Sequence, residues 1–118
     1  MALKRVYRPR TLIKTVTLAV TPEALSADTT LRVYGIQFVG QKAFGTDNTG
    51  NIIVQVNNGT TDTPDYQDAL TIEPGQMSTW GGSAFLEGFF ILNDFKIKVA
   101  TNGDGVRILY STFAQETA

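Results

Sequence analysis

The chain has 118 residues, enough for one domain that buries roughly two-thirds of the surface exposed by its unfolded form, so it needs no disulfide or metal staple. It contains no Cys and no His, which excludes disulfides, thiolate chemistry, His-dependent triads, ordinary zinc sites and the usual neutral-pH proton shuttle. A formal net charge of −1 argues against nucleic-acid binding by bulk electrostatics, and a hydrophobic content of 42% is ordinary for a globular domain.

The first segment is a basic arm. Lys4, Arg5, Arg8, Arg10 and Lys14 are five of the ten basic residues, and no acid precedes Glu23. Residues 1–14 therefore carry +5, and residues 15–118 carry 5 − 11 = −6. Pro9 argues against a regular helix and biases Arg8 toward an extended conformation. Fully extended, the arm reaches roughly 46–50 Å, far enough to lie on a neighbouring molecule. It reads as a solvated tail, as an arm docking on an acidic partner surface, or as a nucleic-acid contact. Val6, Tyr7, Leu12 and Ile13 favour docking, since a solvated tail has no need of them. No apolar run of leader length follows, because Thr17 interrupts Val16, Leu18, Ala19 and Val20 and Thr21-Pro22 stops them. No apolar stretch reaches the length of a membrane span, so no membrane partner is expected.

Strand signals then recur along a body expected over residues 15–113. Residues 11–20 alternate, with Val16, Leu18 and Val20 on one face. Pro22 to Leu25 reads as one helical turn capped by Thr21. Leu31 to Val39 is a second strand, in which Gly35 breaks the alternation and marks a candidate bulge. Ile52, Val54 and Val56 give a third. Residues 65–68 read as loop, followed by short strands over residues 69–73 and 76–80 on either side of Pro74-Gly75, with Gly81-Gly82 ending the second. Phe95, Ile97 and Val99 alternate with Lys96 and Lys98, and Asn102-Gly103-Asp104-Gly105 predicts a hairpin return through Val106, Ile108 and Tyr110. Residues 114–118 read as a tail. The sum is an all-β, antiparallel sandwich or jelly-roll-like domain of about seven or eight short strands with an extended N-terminal arm.

The run Ala84 to Leu92 is apolar at seven of nine positions without alternation. A strand with one wet face does not read this way, so the run either crosses the core or is covered by another subunit. Phe89 and Phe90, as successive strand residues, are expected to face opposite ways, one into the core and one toward a contact. Trp80 has the same two readings, core or interface.

Chemistry is sparse. Asp62, Asp65 and Asp68 are spaced by three and could in principle hold calcium, but they match no EF-hand pattern and read first as a solvated acidic loop. Glu73 and Glu87 carry no glycosidase context. Gly103 and Gly105 lack the following helix of a phosphate loop. Asn58-Gly59-Thr60 matches the glycosylation tripeptide, a pattern common by chance. Neither a catalytic residue, a metal site nor a cofactor is expected.

Three passages resemble the small β-rich decoration, or cement, proteins of tailed-bacteriophage heads. They are the basic start running into the first strand; Ile52 to Val56 with the Asn-Gly-Thr loop and Leu70-Thr71-Ile72-Glu73-Pro74-Gly75; and the closing Asn93 to Val99 and Gly105 to Tyr110. The resemblance implies a non-enzymatic virion protein, present in host cytoplasm before assembly. It would bind the major capsid protein on the capsid surface and associate with itself as a homodimer or homotrimer. The residues expected to touch partners are Lys4, Arg5, Tyr7, Arg8, Arg10, Lys14, Phe89 and Phe90, with direct nucleic-acid contact not expected. Two other roles are open: a carbohydrate-binding module using Trp80, Tyr34 or Tyr66, and a small head–tail or tail component.

Overall fold

The computed structural model describes residues 3–80 and 89–117. Within them the chain is all-β and antiparallel, with eleven strand segments: β1 Leu3–Thr15, β2 Glu23–Ala24, β3 Arg32–Val39, β4 Gln41–Ala43, β5 Thr46–Asp47, β6 Ile52–Asn57, β7 Tyr66–Ile72, β8 Met77–Trp80, β9 Phe90–Ile91, β10 Phe95–Val99 and β11 Gly105–Thr117. One sheet runs β1-β11-β3-β8, with β9 added to the start of β3. A second runs β2-β10-β6-β7, and β4-β5 form a small ribbon.

Period-2 alternation builds both sheets, because successive side chains on a strand point to opposite faces. Val33, Ile36 and Phe38 of β3 and Val106 and Ile108 of β11 turn inward from the first sheet. Ile52 and Val54 of β6, Ile72 of β7 and Phe95, Ile97 and Val99 of β10 turn inward from the second. These side chains form one cluster, joined by Val16, Leu25 and Leu92. Each fully buried side chain of this size stabilises the fold by about 1.5–3 kcal/mol.

The bulge expected at Gly35 is present. Tyr110 pairs with Ile36 and Ser111 with Tyr34, so Gly35 is the extra residue, at φ 68°. Only glycine adopts that conformation without steric cost, and the bulge bends β3 over its last neighbours.

Several expectations are corrected. The basic segment does not stand apart as an arm: residues 3–15 are β1, paired residue by residue with β11 from Leu3↔Thr117 to Thr15↔Gly105. The neighbour along which it lies is this chain's own C-terminal strand, which continues through the residues expected as a tail. Two thirteen-residue strands in register satisfy each other's backbone groups, which a free arm leaves to water. Residues 16–20 leave the strand. Val16 stays in the core, whereas Leu18 and Val20 are exposed in a turn. Residues 22–25 are no helical turn, since Glu23 and Ala24 pair with Ile97 and Lys96 on β10. The loop expected at residues 65–68 is the start of β7, paired with β6 from Asn57↔Tyr66. The hairpin expected between β10 and β11 is a crossing between sheets, since β10 pairs with β2 and β6 while β11 pairs with β1 and β3.

A buried polar hub holds that crossing. The Asp104 carboxylate accepts hydrogen bonds from the Thr49 N–H (3.0 Å) and the Gly50 N–H (2.8 Å). Asn48 donates to the Gly105 carbonyl (2.7 Å) and accepts from the Gly105 N–H (3.0 Å). Both side chains are buried. They fasten the start of β11 to the loop that enters β6, in the opposite sheet.

Candidate protein-binding face

Both sheets share one core, so each has one outer face, and the two differ in chemistry. On the second sheet the outward positions are mostly polar, with Ile53 and Ala24 the apolar residues beside Lys98 and Lys96. Lys98 Nζ pairs with Asp68 (3.2 Å), Gln55 Nε2 donates to Asp68 (2.8 Å), and the Lys96 ammonium lies 4.1 Å from the Tyr66 ring centre. Two hydrogen bonds, from Gln55 and then Lys98, hold the Asp68 carboxyl below its ordinary value. This is an ordinary wet face, with Lys96, Lys98, Gln55 and Asp68 engaged by their neighbours.

The first sheet's outer face is aromatic. Register sets it: Leu12 opposite Ile108 faces the core, so Tyr7 opposite Phe113 and Ile13 opposite Arg107 face away. Past the bulge, Tyr34 faces the same way. Tyr7 meets Tyr34 edge-on at 5.5 Å and Phe113 at 5.6 Å between ring centres, and Tyr34 meets Phe89 at 6.2 Å. The Arg32 guanidinium lies 4.6 Å over the Phe89 ring. Despite these contacts Tyr7 is 53% exposed, Phe89 45% and Ile13 41%. Single exposed apolar residues are common, whereas these rings form one contiguous, partly exposed cluster.

Two hollows flank Tyr34. One, of about 340 Å³, lies at the Gly35 bulge and is lined by Pro9, Arg10, Gln37, Thr79 and Leu109 among others. The other, of about 370 Å³, is lined by Arg32, Leu31, Asp28 and Phe113 among others. Asp28 is occupied by Thr30, whose N–H and hydroxyl donate at 2.8 and 2.7 Å and hold the carboxyl below its ordinary value. Arg10 and Arg32 have no carboxylate partner among the described residues; Arg10 only donates to the adjacent Pro9 carbonyl at 3.4 Å.

The residues expected to touch partners separate. Tyr7 and Phe89 come together in the ring cluster. Phe90 turns the other way and packs edge-on against core Phe95 at 6.1 Å. Arg8 and Arg10 lie on the side of β1 opposite Tyr7 by strand alternation, and exposed Lys4 lies on that side too. Lys14 is committed inside the fold: its ammonium donates to Glu23 at 2.9 Å, lowering that carboxyl's pKa and tying β1 to β2. The Arg5 side chain and residues 81–88 lie outside the described residues.

Tyr34 and Phe113 complete a surface that the sequence reading did not assemble, because β3 and β11 meet Tyr7 only in three dimensions. The platform expected for a carbohydrate does not form from Trp80 and Tyr66. Trp80 packs edge-on against Phe95 at 6.0 Å, and the Tyr66 hydroxyl donates to the Asn93 carbonyl at 2.7 Å. Asp62, Asp65 and Asp68 are not gathered for a cation; among the described residues no three acidic side chains are. Among the same residues no helix is long and apolar enough to cross a membrane. A scan against protein-family models, a search of curated proteins and a search of solved structures each find no match.

Proposed function

We propose that this chain is a non-enzymatic structural protein that docks on a bacteriophage capsid shell and reinforces it, with the major capsid protein as partner. The contact is the aromatic outer face of the first sheet. The observation that carries the reading is the asymmetry between two outer faces over one core. One is salt-bridged and polar, whereas the other presents Tyr7, Tyr34, Phe89 and Phe113 around two hollows. Aromatic residues and Arg are the types enriched at the centres of protein interfaces.

The architecture belongs to the same proposal: a two-sheet sandwich with jelly-roll strand order. First pairs with last, β1 with β11; β2 pairs with β10, β3 with β8, and β6 with β7. Such nested antiparallel pairs, wrapped so that β10 meets β6 and β11 meets β3, support the reading as an eight-stranded jelly roll, a fold used by capsid and lectin domains. Fold alone does not assign the role, so the surface carries it.

The test is occupancy on purified shells that lack the protein. Wild type is expected to saturate at hundreds of copies per particle; a dozen or fewer indicates a head–tail or tail component instead. Tyr7→Ala with Phe113→Ala, in a variant whose melting cooperativity is unchanged, is expected to reduce affinity at least tenfold. Unchanged occupancy in that variant overturns the proposed contact face.

A further inference from the structure

The hollow at the Gly35 bulge has a complementary feature on the same molecule, and it lies on the other sheet. No Lys or Arg occurs between Lys42 and Lys96, while Asp47, Asp62, Asp65, Asp68, Glu73, Glu87 and Asp94 do. Within that stretch the β6–β7 loop projects Thr60 to Asp65, all exposed. Its shape is fixed by its own hydrogen bonds. Asn57 Oδ1 accepts from the Gly59 and Asp65 N–H groups, both at 2.9 Å. The Thr60 hydroxyl accepts from the Thr63 N–H (3.0 Å), and the Asn58 N–H donates to the Asp65 carbonyl (2.8 Å). Gly59 is required there, because a side-chain carbon would overlap the Thr63 carbonyl oxygen. The result is a preformed acidic knob with Pro64 at its side. Binding such a segment costs less ordering entropy than binding a flexible one.

We infer that copies of this chain associate head to tail, the Asp62–Asp65 knob of one seated in the Arg10–Tyr34 hollow of the next. The charges select this occupant. Among the described residues the hollow's Arg10 and, across Tyr34, Arg32 lack carboxylate partners, and Asp62 lacks a cation. Two copies docking aromatic face to aromatic face would instead oppose Arg32 to its own image, since among the described residues the only carboxylate lining either hollow, Asp28, is held by Thr30. Strand addition at β1 or β7 is disfavoured as well. The edge strand β1 carries Pro9 and its basic residues, and edge β7 is bulged opposite Val54 and Gln55; both devices blunt sheet edges. Knob and hollow are different patches, so the contact is heterologous and closes into a ring or continues as a filament. This inference does not depend on shell binding.

Sedimentation velocity of the purified full chain tests it without any shell. Wild type is expected to associate reversibly at low salt and more weakly at high salt. Arg10→Glu with Arg32→Glu, and separately Asp62→Lys with Asp65→Lys, should each weaken association roughly tenfold. An equimolar mixture of the two variants should restore it, because each knob then finds a hollow of opposite sign. Circular dichroism and melting of each variant report retained folding. A wild type that stays monomeric at all accessible concentrations overturns the inference, as does a mixture that fails to associate. Association that is indifferent to both charge pairs and lost in Tyr7→Ala/Phe113→Ala overturns it in favour of a face-to-face dimer.

Discussion

Removing the Asp104 carboxylate tests whether hydrogen bonds or an ion pair fasten the crossing between sheets. Asp104 is 1% exposed. Its oxygens accept from two main-chain donors at 2.8–3.1 Å, whereas Lys42 Nζ lies 3.9 Å away and is itself over a third exposed. Hydrogen bonds to a charged acceptor contribute about 1.5–3 kcal/mol each. Thr49 is at the surface, so water partly replaces the carboxylate there. Asp104→Ala is therefore expected to cost about 3 kcal/mol, a fall in Tm of roughly 10 °C for a domain of this size. Lys42→Ala should cost less than about 1 kcal/mol, as a long, half-exposed pair does. Asp104→Asn keeps one acceptor and loses the charge, and should fall between the two. Asn48→Ala removes the two bonds to Gly105, and in combination with Asp104→Ala should be non-additive because both side chains fix the same turn. Urea unfolding of the four single variants and the double variant gives the values. A Lys42→Ala cost equal to that of Asp104→Ala, or an Asp104→Ala cost below about 1 kcal/mol, refutes the reasoning.

Other perturbations follow from single features. Val20 is the one non-glycine residue at positive φ (56°) among the described residues, in a turn closed by the Thr21 N–H to the Leu18 carbonyl, and its side chain is 73% exposed. Left-handed backbone costs a β-branched residue about 1–2 kcal/mol, so Val20→Gly is expected to raise Tm slightly despite added unfolded-state entropy; a lower Tm contradicts that. Gly105→Ala should destabilise strongly, because the added carbon overlaps the Lys14 carbonyl oxygen where β1 and β11 close; wild-type Tm would show that the strands part freely there. Glu23, Asp28 and Asp68 sit below their ordinary values of 4.5, 3.8 and 3.8, through bonds from Lys14, Thr30 and Gln55 respectively. Their ionised forms are favoured by folding, so that stability is present above those values and is lost as pH falls through the lowered ones. Tyr66 is pushed up, first by burial and then by Asp94, so its contribution holds below pH 10 and is lost as pH rises through the raised value. Melting across pH should show a neutral plateau with two limbs, and Tyr66→Phe should shrink the alkaline one; an unchanged limb removes Tyr66 from the account.

The inward strand positions were legible because alternation is a local property. Ile52-Val54, Phe95-Ile97-Val99 and Val106-Ile108 read correctly as buried rows, and Gly35 as a bulge. Pairing partners were not legible. The turn Asn102 to Gly105 has hairpin composition, yet Asp104 and Asn48 recruit it into a crossing between sheets, a long-range contact that no local pattern records. Glu23-Ala24 has the composition of a helix start, but Lys14 and the backbone of β10 take it as a strand. Tertiary contacts override weak local preference in both places. The aromatic face was half legible: Tyr7 and Phe89 stood out as partner contacts and Tyr34 only as a carbohydrate platform, while Phe113 drew no reading until register aligned the four.

The same register explains why charge and aromatic character are sorted on the β1–β11 ribbon. β1 pairs with β11 without a bulge, so one parity holds along all thirteen residues. Leu12 and Ile108 fix that parity by packing on or within the core. Everything else on the ribbon follows from it. Tyr7 and Phe113 fall on the outer side and meet Tyr34; Arg8 and Arg10 fall on the inner side, opposite Thr112 and Tyr110. A slip of one residue would exchange the two sides, moving arginines onto the aromatic face and Leu12 away from the core. The core end of the ribbon thus specifies the surface of its far end, where β3 diverges at the bulge and the two strands continue together. Substitutions at Leu12 are for this reason expected to disturb the aromatic face as well as stability, although Leu12 faces the core on the other side of the ribbon. That places the control of the aromatic face in the hydrophobic core rather than in the surface residues themselves.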